Sequence, residues 1–265
     1  MNGSTMRKRK QGWEVMQRAI VALFLRELKT RFGKYQLGYA WAFIEPLGTI
    51  GVIFAVLKAF SGVSYPGISL PVFIGVGAIM NSLFVEITNR SIKAVEANST
   101  LFNYRPIRPV DTVISRMLLE TILHMSVFAV LAAIFWLFGG EVEIYDLPTL
   151  FLVFLLLSVF ACGIGILYML VTDAYSDADK VLPMLNRPLF FISGVFFSVK
   201  NIPQEYWSLF LWNPIFHAIE LTRGAVAPDY HVEGVSLTYL FFCAMFSITL
   251  GLAFYHRQEK SLKLR

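Results

Sequence analysis

LPTLFLVFLLLSVFACGIGILYMLV, Leu147–Val171, runs for 25 residues without an Asp, Glu, Lys or Arg. As a helix it would be about 37 Å long, more than the ~30 Å of hydrocarbon in a bilayer. A soluble fold would have to cover such a helix on every side, whereas lipid covers it directly. The rest of the chain reads the same way. Of its 265 residues, 56% are hydrophobic and only 15% are charged, and the mean hydropathy is +0.61. Soluble domains carry roughly 25% charged residues. Further apolar runs predict spans at Leu37–Leu57, Leu70–Val85, Val113–Phe138, Val181–Val199 and Val235–Tyr255. The expected fold class is therefore an all-α integral membrane protein with six transmembrane helices. The second and fifth spans are the weaker ones, the fifth holding Arg187, Pro183 and Pro188.

Lysine and arginine set the orientation, because cytoplasmic segments retain them. With both termini inside, 20 of the 23 positive residues are cytoplasmic. They lie in the arm (Arg7 to Lys34), around the second-to-third connection (Arg90 to Arg116), at Lys180 and Arg187, and in the tail. Only Lys58, Lys200 and Arg223 fall outside, and the connection holding Glu141, Glu143 and Asp146 has no positive charge. The net charge of +5 thus reflects topology, and nucleic acid is not an expected partner. The chain divides into a cytoplasmic arm (1–34), a six-helix transmembrane domain (35–257) and a cytoplasmic tail (258–265).

In the arm, Trp13, Met16, Ile20, Leu23, Phe24 and Leu28 recur at helical spacing, with Arg18, Arg26 and Lys29 largely off that face. That predicts an amphipathic helix lying at the inner interface. Between the fifth and sixth spans, Pro203 opens a short helix through Tyr206, Trp207 and Phe210. Asn213 is an N-cap residue, Pro214 suits the first helical position and Gly224 suits the stop. The prediction is an outer re-entrant hairpin over about 202–224. In the inner connection Asn89–Asp111, Ser91 to Leu101 predicts a short helix, followed by the stiff Arg105-Pro106-Ile107-Arg108-Pro109 return.

Chemistry is sparse. G-x-x-x-x-G-K-[ST], H-E-x-x-H, C-x-x-C and G-x-S-x-G are all missing, so neither ATP hydrolysis by a P-loop nor other catalysis is expected in this chain. No metal site is expected, and Cys162 and Cys243 fall inside apolar runs where thiols simply pack. Charges at membrane depth merit attention. Glu45, before Pro46, is expected to pair with an arginine of the arm. Glu86, Arg116 and Glu120 read as structural pairs. Arg187 lies about 9 Å into the fifth span, where it can snorkel or meet an anionic substrate. His217, Glu220 and Arg223 share a face at i, i+3, i+6 and read as a polar network tying the hairpin to the spans. Trp207 and Trp212 of the hairpin, and Tyr39, Trp41, Phe43 and Phe191 in the spans, are belt residues or sugar-stacking surfaces.

The motifs carry a resemblance. The arm reads LFLRELKTRFGKYQLGYAWAFIEP (Leu23–Pro46) and the inner connection NRSIKAVEANSTLFNYRPIRPVDTVISR (Asn89–Arg116). CGIGI (Cys162–Ile166), KVLP (Lys180–Pro183), IPQEYWSLFLWNPIFHAIELTRGAV (Ile202–Val226) and EGVSLTYL (Glu233–Leu240) follow. Over nearly the whole chain this resembles the permease subunits of ATP-driven capsular polysaccharide exporters, the KpsM type of the ABC-2 family. The resemblance implies a homodimer working with two copies of a separate cytoplasmic ABC ATPase, which holds the ATP and Mg. It implies a bacterial inner-membrane location, a periplasmic adaptor, an outer-membrane export protein and a lipid-linked acidic polysaccharide as cargo. It makes the inner connection (about 91–102) a coupling helix in the ATPase cleft, with Ala94, Val95, Glu96, Ala97, Asn98, Leu101, Phe102 and Arg105 as contacts. It makes Tyr39, Trp41, Phe43, Glu45, Arg187 and Phe191 substrate-path residues, and puts the hairpin near the exit. O-antigen and teichoic acid permeases share the arm and are the alternative. An integral membrane enzyme would need clustered Asp, Glu or His, and a secondary transporter would need inverted repeats. The sequence has neither.

Overall fold

The computed structural model describes residues 3–32, 40–60, 65, 67–98, 107–137, 144–230 and 233–262. Every regular element among them is helical. The helices are α1 (Gly3–Phe32), α2 (Trp41–Phe60), α3 (Leu70–Ile92), α4 (Pro109–Leu137), α5 (Leu147–Ala174), α6 (Ala178–Ile192), α7 (Ser208–Leu211), α8 (Pro214–Val226) and α9 (Leu237–Leu262). Among the described residues, α3, α4, α5 and the Leu237–Glu259 part of α9 are long and apolar enough to cross a membrane. α2 has a shorter apolar core, Phe43–Val56.

The expected fifth span is not one continuous helix. α6 has 15 residues, about 22 Å, and ends at Ile192. Pro183 and Pro188 inside it remove two backbone donors. Gly194 then takes φ +76°, a left-handed conformation that a β-carbon disfavours. The chain turns back on itself, and Val195 and Val199 are buried instead of continuing the helix.

α3 and α5 form the centre. Burial of the apolar stretch is 72% in α3 and 61% in α5, against 33% in α4 and 22% in α9, so the last two present faces to their surroundings. CGIGI explains how α5 is held. A β-carbon on Gly163 would sit 2.4 Å from the backbone of Ser247 in α9, and one on Gly251 would sit 2.8 Å from the Gly163 carbonyl. A β-carbon on Gly165 would meet Ser91 Oγ of α3 at 2.5 Å. The two glycines, two residues apart, admit neighbours on nearly opposite sides. Small residues at helix crossings serve this purpose in membranes, where van der Waals contact rather than water drives association.

The arm is helical as expected, and its apolar face has a protein partner. Leu23 is buried, Met16, Ile20, Phe24 and Leu28 are half-buried, and Arg18 and Lys29 are exposed. This stripe packs on α4. The hairpin starts as predicted: the Asn213 side chain accepts from Ile215 N at 3.0 Å and Pro214 takes the first helical position. The stop does not fall at Gly224. α8 continues to Val226, and its last turn is buried. That burial outweighs the helix-breaking tendency of one glycine.

The predicted coupling helix is also different. Over its described part, α3 runs through Ile92, a turn follows, and Glu96–Asn98 make one 3-10 turn. Ala94 N bonds Ser91 O and Ala97 N bonds Lys93 O. The first, three residues apart, tightens the end of α3, and the second, four apart, closes a single turn that the described residues do not extend into a longer helix. Leu101, Phe102, Arg105 and Tyr39 lie outside the described residues, and so does the Asn98 side chain.

Candidate functional site

At the end of the bundle where α3 and α5 begin, Arg223 of α8 is fully buried. A guanidinium has five N–H donors, and all five are used. Nη1 donates to Glu220 Oε1 at 2.8 Å and to the Phe197 carbonyl at 3.4 Å. Nη2 donates to Val195 O at 3.0 Å and Phe73 O at 3.1 Å, and Nε donates to Phe73 O at 3.3 Å. The guanidinium also lies 3.3 Å over the Phe73 ring, a cation–π contact. Gly77 makes the approach possible, since a β-carbon there would sit 2.9 Å from Nη2. Glu220 is held from the other side by Tyr230, whose hydroxyl donates to Oε2 at 2.8 Å. Burial, with the Glu220 carboxylate beside it, raises the Tyr230 phenol above its ordinary range, so it stays a donor. Tyr65 stacks on Phe73 at 3.8 Å and donates to Phe196 O at 2.7 Å. Burial raises its phenol in the same direction.

The expected network is thus present for Glu220 and Arg223. His217 belongs to a different one. Its Nδ1 accepts from Ser236 N at 2.9 Å, and its Nε2 lies 2.7 Å from Leu211 O. An accepting Nδ1 leaves Nε2 as the protonated nitrogen, so the ring is neutral. Trp207 donates to Ile202 O at 2.9 Å, and the exposed Trp212 donates to Leu209 O at 2.7 Å.

At the opposite end, Glu120 of α4 is fully buried and receives arginines from two other helices. Arg31 of α1 donates through Nη1, and Arg90 of α3 approaches to 2.6 Å. Arg90 also bonds Glu86 at 3.0 Å. Beside this cluster Arg116 pairs with Glu27 of α1 at 2.7 Å and donates to the Arg90 carbonyl. Arg26 reaches the Ala97 carbonyl at 3.4 Å. The arm is therefore bonded to α4 and to the inner connection, and α4 in turn to α3. Glu27 and Arg116 are mostly buried, and a double-mutant cycle to alanine should give a coupling of about 1–3 kcal/mol in detergent unfolding. Additive single losses would show the pair to be independent.

The predicted path residues do not converge within one chain. Glu45 lines a cleft of about 150 Å³ between α2, α3 and α4, together with Arg31, Ser82, Glu86 and Glu120. It shares this space with Arg31 instead of forming the expected ion pair, among the described residues. Phe43 packs against the core and Trp41 is 43% exposed. Arg187 lines a second groove of about 620 Å³ between α3 and α6. Phe191 is 64% exposed and packs with Phe190 and Phe196. Ser82 of α3 borders both spaces, so α3 is their common wall.

In the inner connection Ala94 is fully buried and Val95 packs beside it, whereas Glu96 and Ala97 are exposed. Sequence reasoning gave the arm's arginine the wrong carboxylate, Glu45 instead of Glu120, and missed Glu27 as the partner of Arg116. It also missed Phe73, Tyr230, Asn81, Asn89 and Asn186, although an asparagine at the middle of a span is itself a signal.

A helical bundle with a bonded N-terminal arm has a counterpart among known proteins. A family profile described as ABC-2 type transporter matches residues 18–227. The chain belongs to the ABC-2 type transporter family. This ABC-2 chain is 44% identical over 253 residues to the polysialic acid transport protein KpsM of Escherichia coli, covering 96% of this chain and 98% of KpsM. It is 29% identical to the capsule polysaccharide export inner-membrane protein BexB of Haemophilus influenzae, over 96% of each chain. It is also 29% identical to the capsule polysaccharide export inner-membrane protein CtrC of Neisseria meningitidis, over 94% of each.

Proposed function

We propose that this chain is the membrane permease of an ATP-driven exporter that carries lipid-linked acidic capsular polysaccharide across the bacterial inner membrane. The observation that carries this reading is the likeness to KpsM, which spans 98% of that protein's length. The missing P-loop is in keeping with ATP and Mg being held by a separate cytoplasmic ABC ATPase. Two permease copies pair with two ATPase copies, with both termini cytoplasmic and six passes through the membrane. In that arrangement α2 and the short α6 complete the six, and the α7–α8 hairpin dips into the outer leaflet near the exit. A periplasmic adaptor and an outer-membrane export protein continue the route.

The arm and the inner connection receive the ATPase stroke. Glu96 and Ala97 are exposed in the connection, and the Glu120 cluster transmits the displacement to α3 and α4. Ala97→Arg should cut ATPase co-purification about tenfold or more, by placing a long charged side chain in the contact, while the chain itself stays folded. Unchanged co-purification and export would remove Glu96 and Ala97 from the interface. Ala94→Leu, by contrast, acts on the core and should lower the amount of folded chain.

The reading as a whole is tested by deleting the gene, measuring polysaccharide at the cell surface and inside, and purifying the tagged chain gently for mass analysis. Internal accumulation of polymer together with a bound P-loop ATPase is expected. Unaltered surface polymer and a chain that purifies alone would overturn it.

A further inference from the structure

The arm lies on α4 with a constant offset. Glu27 pairs with Arg116 at 2.7 Å, and Arg31 pairs with Glu120. Each bridge joins residues 89 positions apart, and the two bridges are one turn apart on both helices. A constant offset means that α1 and α4 run in the same direction where they touch. On the α1 side, Met16, Ile20, Phe24 and Leu28 recur at four-residue intervals and are half-buried. After a slip of one turn such a stripe would offer α4 nearly the same apolar surface. Burial is non-directional, so it does not choose the register by itself.

The charges do choose it. Slipped one turn toward the start of α4, Arg31 would face Arg116 and Glu27 would face Thr112. Slipped one turn the other way, Glu27 would face Glu120 and Arg31 would face His124. Either slip sets like charges together and takes the partner from another. Side-chain exposure is 21% for Arg31, 0% for Glu120, 9% for Arg116 and 18% for Glu27, so solvent and salt screen these charges little. One ion pair alone would only be lost on sliding. Two pairs of opposite order add a repulsion in each direction. Glu120 also takes Arg90 of α3 at 2.6 Å, and Arg116 donates to the Arg90 carbonyl, so α3 is tied into the same register.

We infer that the order Glu27, Arg31 against Arg116, Glu120 fixes α1 on α4 in a single register, so that the arm and α4 move as one body. The source of the push rests on the exporter reading: a stroke on the arm reaches α4 and α3 without sliding. The test puts spin labels on two exposed positions, Lys29→Cys in α1 and Ile122→Cys in α4, in the full chain in lipid nanodiscs with Cys162 and Cys243 replaced by alanine. By the offset, Lys29 is level with Leu118, so a slip toward the start of α4 carries it away from Ile122. Arg31→Glu makes the native register repulsive at Glu120 and the slipped one attractive at Arg116, and the label distance should lengthen by up to one turn, about 5.4 Å. Arg31→Gln removes an attraction without adding a repulsion and should keep the native distance. Arg31→Glu/Glu120→Gln removes the repulsion and should restore it. With the ATPase co-purified, the chain with all four native charges should give one distance before and after a non-hydrolysable ATP analogue and Mg are added. An unchanged distance in Arg31→Glu would show that packing sets the register, and lengthening by about a turn with nucleotide would show sliding. Either result overturns the inference. The nucleotide comparison keeps the native charges, so it decides even where Arg31→Glu fails to fold. A chain that purifies without an ATPase overturns the exporter reading instead, and the charge variants still report on the register.

Discussion

Gly163→Val is expected to leave little folded chain in the membrane. The new β-carbon would meet the carbonyl carbon of Ser247 at 2.4 Å and the amide nitrogen of Ile248 at 2.5 Å, both backbone atoms that no rotamer change can move. α9 would have to withdraw from α5 along the most extensive helix contact of the fold. Overpacking of a rigid core costs about 1–3 kcal/mol, and lost interhelical contact adds to it. Gly165→Ala is the control. Its β-carbon meets Ser91 Oγ at 2.5 Å, which can rotate away, and Ser91 Cβ at 2.9 Å, which cannot, so an intermediate loss is expected. Gly48→Ala in α2 meets nothing within 4 Å and should be neutral or better, since alanine is about 0.5–1 kcal/mol the stronger helix former. The amount of monodisperse protein after extraction, and its midpoint of thermal aggregation, would rank the three. Equal yields for Gly163→Val and Gly48→Ala would show that α5 and α9 are not packed as described.

Arg223→Met should be comparably severe for a different reason. Five donors vanish at once, and the Glu220 carboxylate, 1% exposed, loses its countercharge. Breaking a buried ion pair from one side costs about 3–5 kcal/mol, mostly through the charge left behind. Arg223→Lys should rescue only part of this. A single ammonium on a flexible stem cannot serve Glu220, Phe73, Val195 and Phe197 together. Arg223→Met/Glu220→Met removes both charges and should recover more than half of the loss. If that double variant is no better than Arg223→Met, the damage lies in the carbonyls of Phe73, Val195 and Phe197 and not in Glu220. Resistance to limited proteolysis at the α8–α9 turn would read the result.

How much of this was legible in advance depends on how local the cause is. The apolar runs that became α3, α4, α5 and α9 follow from one-dimensional hydropathy, because any helix of that length and composition needs lipid or protein on every side. The Asn213–Pro214 break was equally legible, since a cap and a fixed φ act within one turn. The stop at Gly224 and the continuous fifth span failed where burial decided the matter. α8 extends because its last turn is packed, and α6 ends because Gly194 lets the chain fold back to bury Val195 and Val199.

The sequence by itself determined a helical membrane chain, its charge asymmetry and its family, since each rests on patterns that repeat along the chain and survive any packing. Only the tertiary structure decided partners. Arg31 and Glu120 are 89 residues apart, as are Glu27 and Arg116, and Arg223 meets Phe73 across 150. No local rule specifies which of several arginines reaches a given carboxylate, because that choice is made by helix crossings that the glycines of α5 and α3 permit. The same holds for Asn81, Asn89 and Asn186. Read singly they are polar residues in apolar runs, and only the approach of α6 to α3 assembles them with Arg187 around one space.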